Sequence, residues 1–294
     1  MTAGPGPLPG PLGIVAGGGL LPGRVGLAAR AAGRDVFVVA LEGYAEPEVI
    51  GGFPHEVVRL GAVGASIAAL RRAGCEDIVL AGPVKRPSLL DLRPDAVGAK
   101  LLARVGRAAF SGDDGFLAAI VRVLGEEGFH VLGAHEVLHE ALAPPGLLTG
   151  AKPDAEALAD IARGVAVVRA LGAADVGQAC VVQQGIVLAV EAVEGTDAML
   201  ARSGALARPG PGGVLVKLVK PGQDRRADLP TLGPKTIPLM RNSGLRGVAF
   251  EAGGTILLER AAMIEAAEAA GLFLLGIEPG APDWKTGDWD ERRI

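Results

Sequence analysis

The sequence predicts a two-domain α/β protein that begins with a parallel sheet covered by helices on both sides. Two observations carry this prediction. Apolar strand-like runs alternate with Ala- and Leu-rich helical stretches through the first half, which is the pattern of βαβ units. The run 35–41 is almost continuously apolar, as strands buried on both faces are. A Pro/Gly-rich stretch at 143–150 divides the chain, and we place the domains at 1–147 and 148–294.

Each element of the first half follows from its composition and its flanking residues. Short runs rich in Val, Ile and Leu predict strands at 13–16, 35–41, 77–81 and 129–132. The Ala-rich segments between them predict helices at 20–32, 62–73, 99–107 and 115–127.

The second half opens with a predicted helix at 154–171 and continues with more strands than helices. Strands are expected at 180–183, 186–191, 214–219, 247–251, 256–258 and 273–277, and Gln184-Gly185 forms the turn between the first two. Thr196 is expected to cap a helix that runs to about 207. Further helices are predicted at 234–243, with proline in its first turn, and at 260–270.

Composition limits the classes of function. A net charge of −4 and a pI near 5.7 argue against nucleic acid, which usually selects a basic face. No apolar run approaches the roughly 20 residues that a bilayer span requires. The first ten residues lack the features of a secretory signal. Cys75 and Cys180 have no motif partner, so we expect buried thiols in a reducing cytoplasm.

The segment with the most closely spaced ionisable side chains is 217–230, a loop that contains Pro and Gly and follows the strand at 214–219. Carboxylates are ligands for Mg²⁺ or a related cation, and Lys and Arg suit phosphate oxygens. The loop therefore predicts metal-assisted chemistry at a phosphate ester or anhydride; a solvated, charge-balanced turn is the alternative. The candidate residues are Lys217, Lys220, Gln223, Asp224, Arg225 and Asp228.

Other strand ends supply further candidates. Gly17, Gly18 and Gly19 lie between the first strand and helix, where a backbone approach to phosphate is expected, although Pro22 breaks the dinucleotide-binding spacing. Lys85 and Arg86 follow another strand and could contact phosphate. In the second half, carboxylates that could bind a metal or orient water lie beside possible phosphate contacts. These residues are Glu191, Glu194, Thr196, Glu251, Gly253, Gly254 and Thr255.

The segment His135-Glu136-Val-Leu-His139 matches the helical zinc motif His-Glu-x-x-His. Its surroundings are poor for such a site, because Pro144-Pro145 leaves only a short helix. A chance match is the preferred interpretation, and a zinc hydrolase centred on His135 and His139 is kept as an alternative.

From about 13 to 278 the chain resembles the metal-dependent UDP-2,3-diacylglucosamine diphosphatases of lipid A assembly, which replace a calcineurin-like phosphoesterase in many Gram-negative bacteria. The most specific matches are the segments 217–230 and 250–255. The glycine block 16–22 and the segments 39–43, 81–87 and 189–197 add to them.

The resemblance implies a Rossmann-like N-terminal half and a C-terminal mixed α/β catalytic domain. It implies hydrolysis of UDP-2,3-diacylglucosamine to UMP and 2,3-diacylglucosamine 1-phosphate (lipid X) with Mg²⁺, or with Mn²⁺ in its place. The catalytic aspartate falls at Asp224 or Asp228, and the metal candidates are these two with Glu191, Glu194 and Glu251. A cytoplasmic protein peripheral to the inner membrane is expected, and a homodimer is left open. A non-catalytic sugar-nucleotide or lipid-phosphate binding protein is the rival.

Overall fold

The computed structural model describes residues 10–85, 92–105, 113–281 and 284. The chain divides into two compact units. The first comprises the chain up to His139 together with the segment Asp224–Asp228, and the second comprises Glu140–Gln223 and the chain from Leu229 onward. The short segment Asp224–Asp228 therefore belongs to the unit that is built mostly from the other half of the chain.

The first unit alternates strands and helices, as the sequence predicts. Its elements are β1 (Leu12–Ala16), α1 (Leu21–Ala31), β2 (Val36–Leu41), α2 (Pro47–Ile50), β3 (His55–Val58), α3 (Val63–Arg72), β4 (Asp77–Ala81), α4 (Ala96–Val105), α5 (Asp113–Glu126), β5 (His130–Leu132) and α6 (Ala134–Val137).

The strands of the first unit form a five-stranded sheet in the order β3-β2-β1-β4-β5. Every pairing in this sheet is parallel, which confirms the predicted parallel α/β arrangement. The order reverses direction between β1 and β4, and in open parallel sheets ligands bind outside the carboxyl ends of the strands at such a reversal. The loops after β1, β4 and β5 lie at this carboxyl edge.

Both faces of this sheet are buried. On one face, Val39 and Val131 pack with α3 and α5 in a continuous apolar cluster, and Ala227 from the segment Asp224–Asp228 packs against it. On the other face, alternate residues such as Ile14 and Val38 are also buried, and α1 contacts β1, β2 and β4. Burial of apolar surface on both faces explains why the strands are almost wholly apolar.

The second unit contains a mixed sheet with helices on both of its faces. Its elements are β6 (Gly146–Leu147), α7 (Ala155–Ala173), β7 (Ala179–Gln183), β8 (Ile186–Val190), α8 (Gly195–Ser203), β9 (Gly213–Lys217), β10 (Thr231–Leu232), α9 (Thr236–Asn242), β11 (Leu245–Glu251), β12 (Ile256–Leu257), α10 (Arg260–Ala270) and β13 (Phe273–Ile277).

The larger sheet of this unit has the order β6-β13-β11-β9-β7-β8. β9, β11 and β13 are mutually parallel, and β7 is antiparallel to both β8 and β9. β8 therefore runs in the direction of β9, and the carboxyl ends of β8, β9, β11 and β13 share one edge. One face packs against α8, α9 and α10 and the other against α7. β10 and β12 form a separate parallel pair.

Three local predictions in this unit are wrong. α9 begins at Thr236 with Lys235 as its N-cap, so Pro234 lies before the helix and not in its first turn. β9 ends at Lys217 rather than at 219, because Pro221 and Gly222 turn the chain immediately afterwards. Thr196 is not the N-cap of α8: the helix begins at Gly195, its N-cap is Glu194, and no side chain caps it. Across the described residues, no helix combines the length and the apolar character that crossing a membrane requires.

Candidate active site

The loop after β9 is a tight, internally bonded turn. Gly222 has a φ of 78°, and the backbone N–H of Gln223 donates to the carbonyl of Lys220 at 3.2 Å. The Gln223 side chain closes the same turn, because its Oε1 accepts from the Lys220 N–H at 3.2 Å. Gln223 is buried. Its observed role is to shape the loop, and the catalytic role predicted for it gains no support from these contacts.

Asp224 and Asp228 lie in the next turn, and the N–H of Asp228 donates to the carbonyl of Asp224 at 3.3 Å. Arg226 donates to both carboxylate oxygens of Asp224, from Nε to Oδ1 at 3.0 Å and from Nη2 to Oδ2 at 2.7 Å. The Arg226 N–H adds a third bond to Oδ1 at 3.0 Å. The Asp224 side chain is 19% exposed and that of Arg226 is 51% exposed.

These bonds set the charge of the pair. The side-chain hydrogen bond from Arg226 lowers the pKa of Asp224 below its ordinary value, and it outweighs partial burial, which acts in the opposite direction. The same bond raises the pKa of Arg226, with a smaller contribution from the nearby charge of Glu136. Asp224 is therefore an ionised carboxylate at neutral pH and is partly shielded from water. The positive charge beside it is the Arg226 guanidinium.

The segment around α6 neighbours this turn in the first unit. Glu136 Oε1 accepts from the Gly133 N–H at 2.7 Å and so caps α6. The His135 ring lies over Gly133, where a Cβ would be 2.4 Å from its Nδ1 and 3.1 Å from the Arg225 carbonyl oxygen. Burial, and then the charge of Arg225, lower the pKa of His135. Glycine at 133 is what allows the imidazole and the Arg225 backbone to approach the same point.

The zinc alternative fails at this segment. α6 ends at Val137 and His139 begins a separate 3-10 turn, so the two imidazoles do not share one helical face. Glu136 is used as a cap rather than as a base. Within the described residues, no group of three or more His, Cys, Asp or Glu side chains could hold a metal ion.

The triple glycine after β1 packs against the loop after β4. The Gly17 N–H donates to the Ala81 carbonyl at 2.8 Å and the Gly18 N–H to the Pro83 carbonyl at 3.0 Å. The Gly19 N–H donates to Glu46 Oε1 at 3.1 Å. All three amides thus have acceptors within the unit. Phosphate binding by these amides remains a prediction, and their observed role is close packing of two loops.

Lys85 lies on the second of these loops with an exposed side chain. Its carbonyl oxygen accepts from the Tyr44 hydroxyl at 2.9 Å, which fixes the backbone and leaves the ammonium toward solvent. Arg86 lies outside the described residues. Lys85 is therefore available for an anionic ligand at the carboxyl edge of the first sheet.

In the second unit, the two predicted phosphate-binding lysines are bonded internally. Lys220 forms an ion pair with Asp175 at 2.6 Å, and only 10% of its side chain is exposed. Lys217 Nζ donates to Thr196 Oγ1 at 2.5 Å, and Thr196 Oγ1 in turn donates to Glu191 Oε1 at 2.5 Å. Thr196 thus links a lysine and a carboxylate instead of capping a helix.

The predicted acidic metal ligands of this unit are also bonded. Glu194 pairs with Arg202 at 2.7 Å, and Glu251 Oε2 accepts from the Val219 N–H at 3.1 Å. Glu191 follows β8 and Glu251 is the last residue of β11, and the carboxyl ends of these two strands share one edge of the sheet. Because Phe250 faces α8, strand alternation places Glu251 on the opposite face, away from Glu191.

The glycine-rich segment after β11 has a packing role in the structure. The Gly253 N–H donates to the Ala143 carbonyl at 2.8 Å. A Cβ on Gly254 would lie 2.6 Å from a Val219 methyl carbon. Thr255 is fully buried, and its hydroxyl has no hydrogen-bond partner among the described residues.

Arg226 is not among the predicted site residues, and the α6 segment is considered only as a zinc motif. The spacing Asp-x-Arg permits the turn in which the Asp224 carboxylate and the Arg226 guanidinium bond. The neighbourhood of Glu136 and Arg226 had no local signal, because these residues are far apart in the sequence.

Comparison with known proteins now bears on this arrangement. The LpxI N-terminal domain model matches residues 11–141 and the LpxI C-terminal domain model matches residues 144–275. The chain is 43% identical over 274 residues to UDP-2,3-diacylglucosamine pyrophosphatase LpxI of Caulobacter vibrioides, covering 91% of this chain and 98% of that protein. With both domain models and nearly full-length identity to one relative, the chain belongs to the LpxI family.

Proposed function

We propose that this protein hydrolyses the pyrophosphate bond of UDP-2,3-diacylglucosamine, adding one water to give UMP and 2,3-diacylglucosamine 1-phosphate. The observation that carries the proposal is the 43% identity, over 91% of this chain, to a relative named for this pyrophosphatase activity. The ionised Asp224 beside Arg226 supplies a carboxylate and a cation suited to phosphate chemistry.

The chemistry of Asp224 favours orientation over proton abstraction. A carboxylate whose pKa is lowered is a weak base at neutral pH, since efficient general bases have pKa values near the working pH. Asp224 is better suited to holding a water or a cation in position. Arg226 can contact a phosphate oxygen if it releases one of its two bonds to Asp224.

We further propose that activity needs Mg²⁺ or Mn²⁺. Mg²⁺ commonly takes one or two protein carboxylates and completes its shell with water and substrate phosphates. Asp224 and Asp228, one turn apart, fit that donor set, whereas the described residues offer no cage of three or more such groups. When bound, the cation would neutralise charge on the pyrophosphate oxygens. Arg226 would have to give up part of its bidentate contact.

The substrate's two acyl chains anchor it in a bilayer, so we propose that the protein acts peripherally on the inner face of the inner membrane. Flotation with vesicles containing the substrate checks this: co-flotation is expected with substrate vesicles and not with neutral phosphatidylcholine vesicles.

We also propose that the protein replaces a calcineurin-like phosphoesterase, so its gene should restore growth to a strain that lacks such an enzyme.

The decisive assay incubates the full-length protein with UDP-2,3-diacylglucosamine in detergent micelles and measures UMP release. Turnover that stops in excess EDTA and returns on adding Mg²⁺ or Mn²⁺ is expected. Binding of the substrate without UMP release would favour the non-catalytic alternative, and full turnover in EDTA would refute the metal requirement. Restoration by Zn²⁺ alone would contradict the choice of metal.

A further inference from the structure

Lys217 is a buried cation at the carboxyl end of β9. The residue is 4% exposed, and Glu191, with which it shares Thr196, is 6% exposed. Lys217 Nζ donates to Thr196 Oγ1, which donates to Glu191 Oε1. The second oxygen of Glu191 accepts from the Gln178 N–H at 3.1 Å. Lysine, threonine and glutamate thus form an ordered chain with a fixed direction of hydrogen bonding.

This series of hydrogen bonds does not use all the donors of the Lys217 ammonium. A lysine ammonium has three N–H donors and no acceptor. Among the described residues, Lys217 uses one of them, on a neutral hydroxyl, and forms no ion pair within 4.0 Å. Burying a charged group without compensating bonds is unfavourable. Two N–H donors of this buried ammonium therefore have no acceptor among the described residues.

The first turn of α8 adds donors close to the same point, because Thr196 is its second residue. The first amides of any helix lack intrahelical acceptors, and no side chain caps those of α8. The Gly195 N–H donates to the Ala192 carbonyl at 3.2 Å, which leaves the Thr196 and Asp197 amides. The exposed Asp197 also places a carboxylate in this turn. The positive end of the helix dipole and a lysine point charge are both features that favour phosphate. Thr196, which accepts the Lys217 bond, is half-buried.

We propose that Lys217 and the Thr196 and Asp197 amides of α8 form a phosphate-binding site within the second unit. Thr196 and Glu191 are positioning residues: Thr196 accepts from the ammonium, and Glu191 fixes the direction of the Thr196 hydroxyl. Both oxygens of Glu191 accept hydrogen bonds, one from the Thr196 hydroxyl and one from the Gln178 N–H. The site itself rests on this geometry alone. That its phosphate belongs to the substrate or product of the pyrophosphatase rests on the proposed function.

The test measures ligand binding by the full-length protein without any turnover. Isothermal titration would use three probes, namely inorganic phosphate, UMP and glucosamine 1-phosphate, so that the nucleotide and sugar sources of phosphate are distinguished. The Lys217→Met variant should bind the preferred probe roughly 10- to 100-fold more weakly, as expected for loss of a charge-assisted bond. Lys235→Met is the matched control, because Lys235 is an exposed lysine of the same unit. It should bind like the wild type.

A second pair of variants separates positioning from folding. Thr196→Val should weaken binding of the same probe by several-fold, and Thr196→Ser should restore it, because serine keeps the hydroxyl that receives the Lys217 bond. If Lys217→Met does not fold, the double variant Lys217→Met with Glu191→Gln is used in its place in the binding test. The double variant removes both buried charges.

Unchanged probe affinity in Lys217→Met, or in the double variant, would overturn the site. So would a lower Tm with no change in affinity, which is the signature of a purely structural lysine. Failure of the proposed function shows up separately, as absence of UMP release from UDP-2,3-diacylglucosamine by a protein that still binds the phosphate probe.

Discussion

Arg226 donates two side-chain hydrogen bonds, of 3.0 and 2.7 Å, to the two carboxylate oxygens of Asp224. Asp224 lies two residues earlier in the same turn. The arrangement keeps Asp224 ionised and limits its rotation, because two parallel bonds fix a planar carboxylate against a planar guanidinium. It also makes the two groups separable by mutation, since neither belongs to the apolar core.

Asp224→Asn should lower kcat by about 100-fold or more, the loss expected when a group that orients the reacting atoms is removed. The substitution keeps the shape of the side chain, so the Tm should stay near the wild-type value. UMP release at saturating substrate is the measurement, with Asp228→Asn assayed beside it and Glu265→Gln, on the exposed face of α10, as the charge control. Wild-type rates in both aspartate variants would move the chemistry elsewhere.

Arg226→Met should move the acid limb of the activity profile to higher pH. The hydrogen bond from Arg226 lowers the pKa of Asp224, while burial raises it. Once the bond is removed, the burial effect remains and the carboxylate protonates at a higher pH than before. Profiles of kcat/KM against pH check this, and Arg226→Lys should give an intermediate shift. Coincident acid limbs in wild type and Arg226→Met would show that Asp224 does not control the profile.

Gly17→Ala should destabilise the protein by about 1–3 kcal/mol, the usual cost of overpacking. A Cβ at this position would lie 2.5 Å from the Gly82 carbonyl oxygen and 2.8 Å from that of Pro83, and backbone atoms have little room to move. Gly52→Ala is the matched control, because its Cβ meets nothing within 4 Å. Urea unfolding curves should separate the two variants, and equal midpoints would contradict the close packing of these loops.

The two thiols should not react with Ellman's reagent in the native protein at pH 8. Burial raises the pKa of Cys75 to about 11 and that of Cys180 to about 12, and the thiolate is the reactive form. Both should react in urea, which gives the reference value of two thiols per chain. Rapid labelling of either thiol without denaturant would mean that its side chain is accessible in the folded state.

Regular elements were predictable wherever the local pattern was strong. Strands β4 and β13 and helix α10 have the predicted bounds, because apolar runs or Ala-rich helices are flanked there by clear breaks. β3 was not predicted: two of its four residues are exposed valine and histidine, so it has no continuous apolar run. The two-residue strands β6 and β10 are too short to have a period of their own.

The candidate site was predictable only as a set of residue types. Charged residues in a Pro/Gly-rich loop indicated chemistry, but their partners depend on distances that the sequence does not contain. Lys220 reaches Asp175 across 45 positions of sequence, and Glu136 influences Arg226 across 90. The zinc motif failed for a local reason: the helix that it needs ends at Val137.

The assignment of Asp224–Asp228 to the first unit has a consequence for synthesis on the ribosome. Ala227 packs against the α3 and α5 cluster, yet it emerges about 90 residues after His139, the last residue of the preceding segment of that unit. At about 5–20 residues per second, the nascent first unit waits several seconds with that position unfilled. A chaperone that recognises exposed apolar surface has that interval in which to bind, and a chain cut at the midpoint would leave the position unfilled permanently.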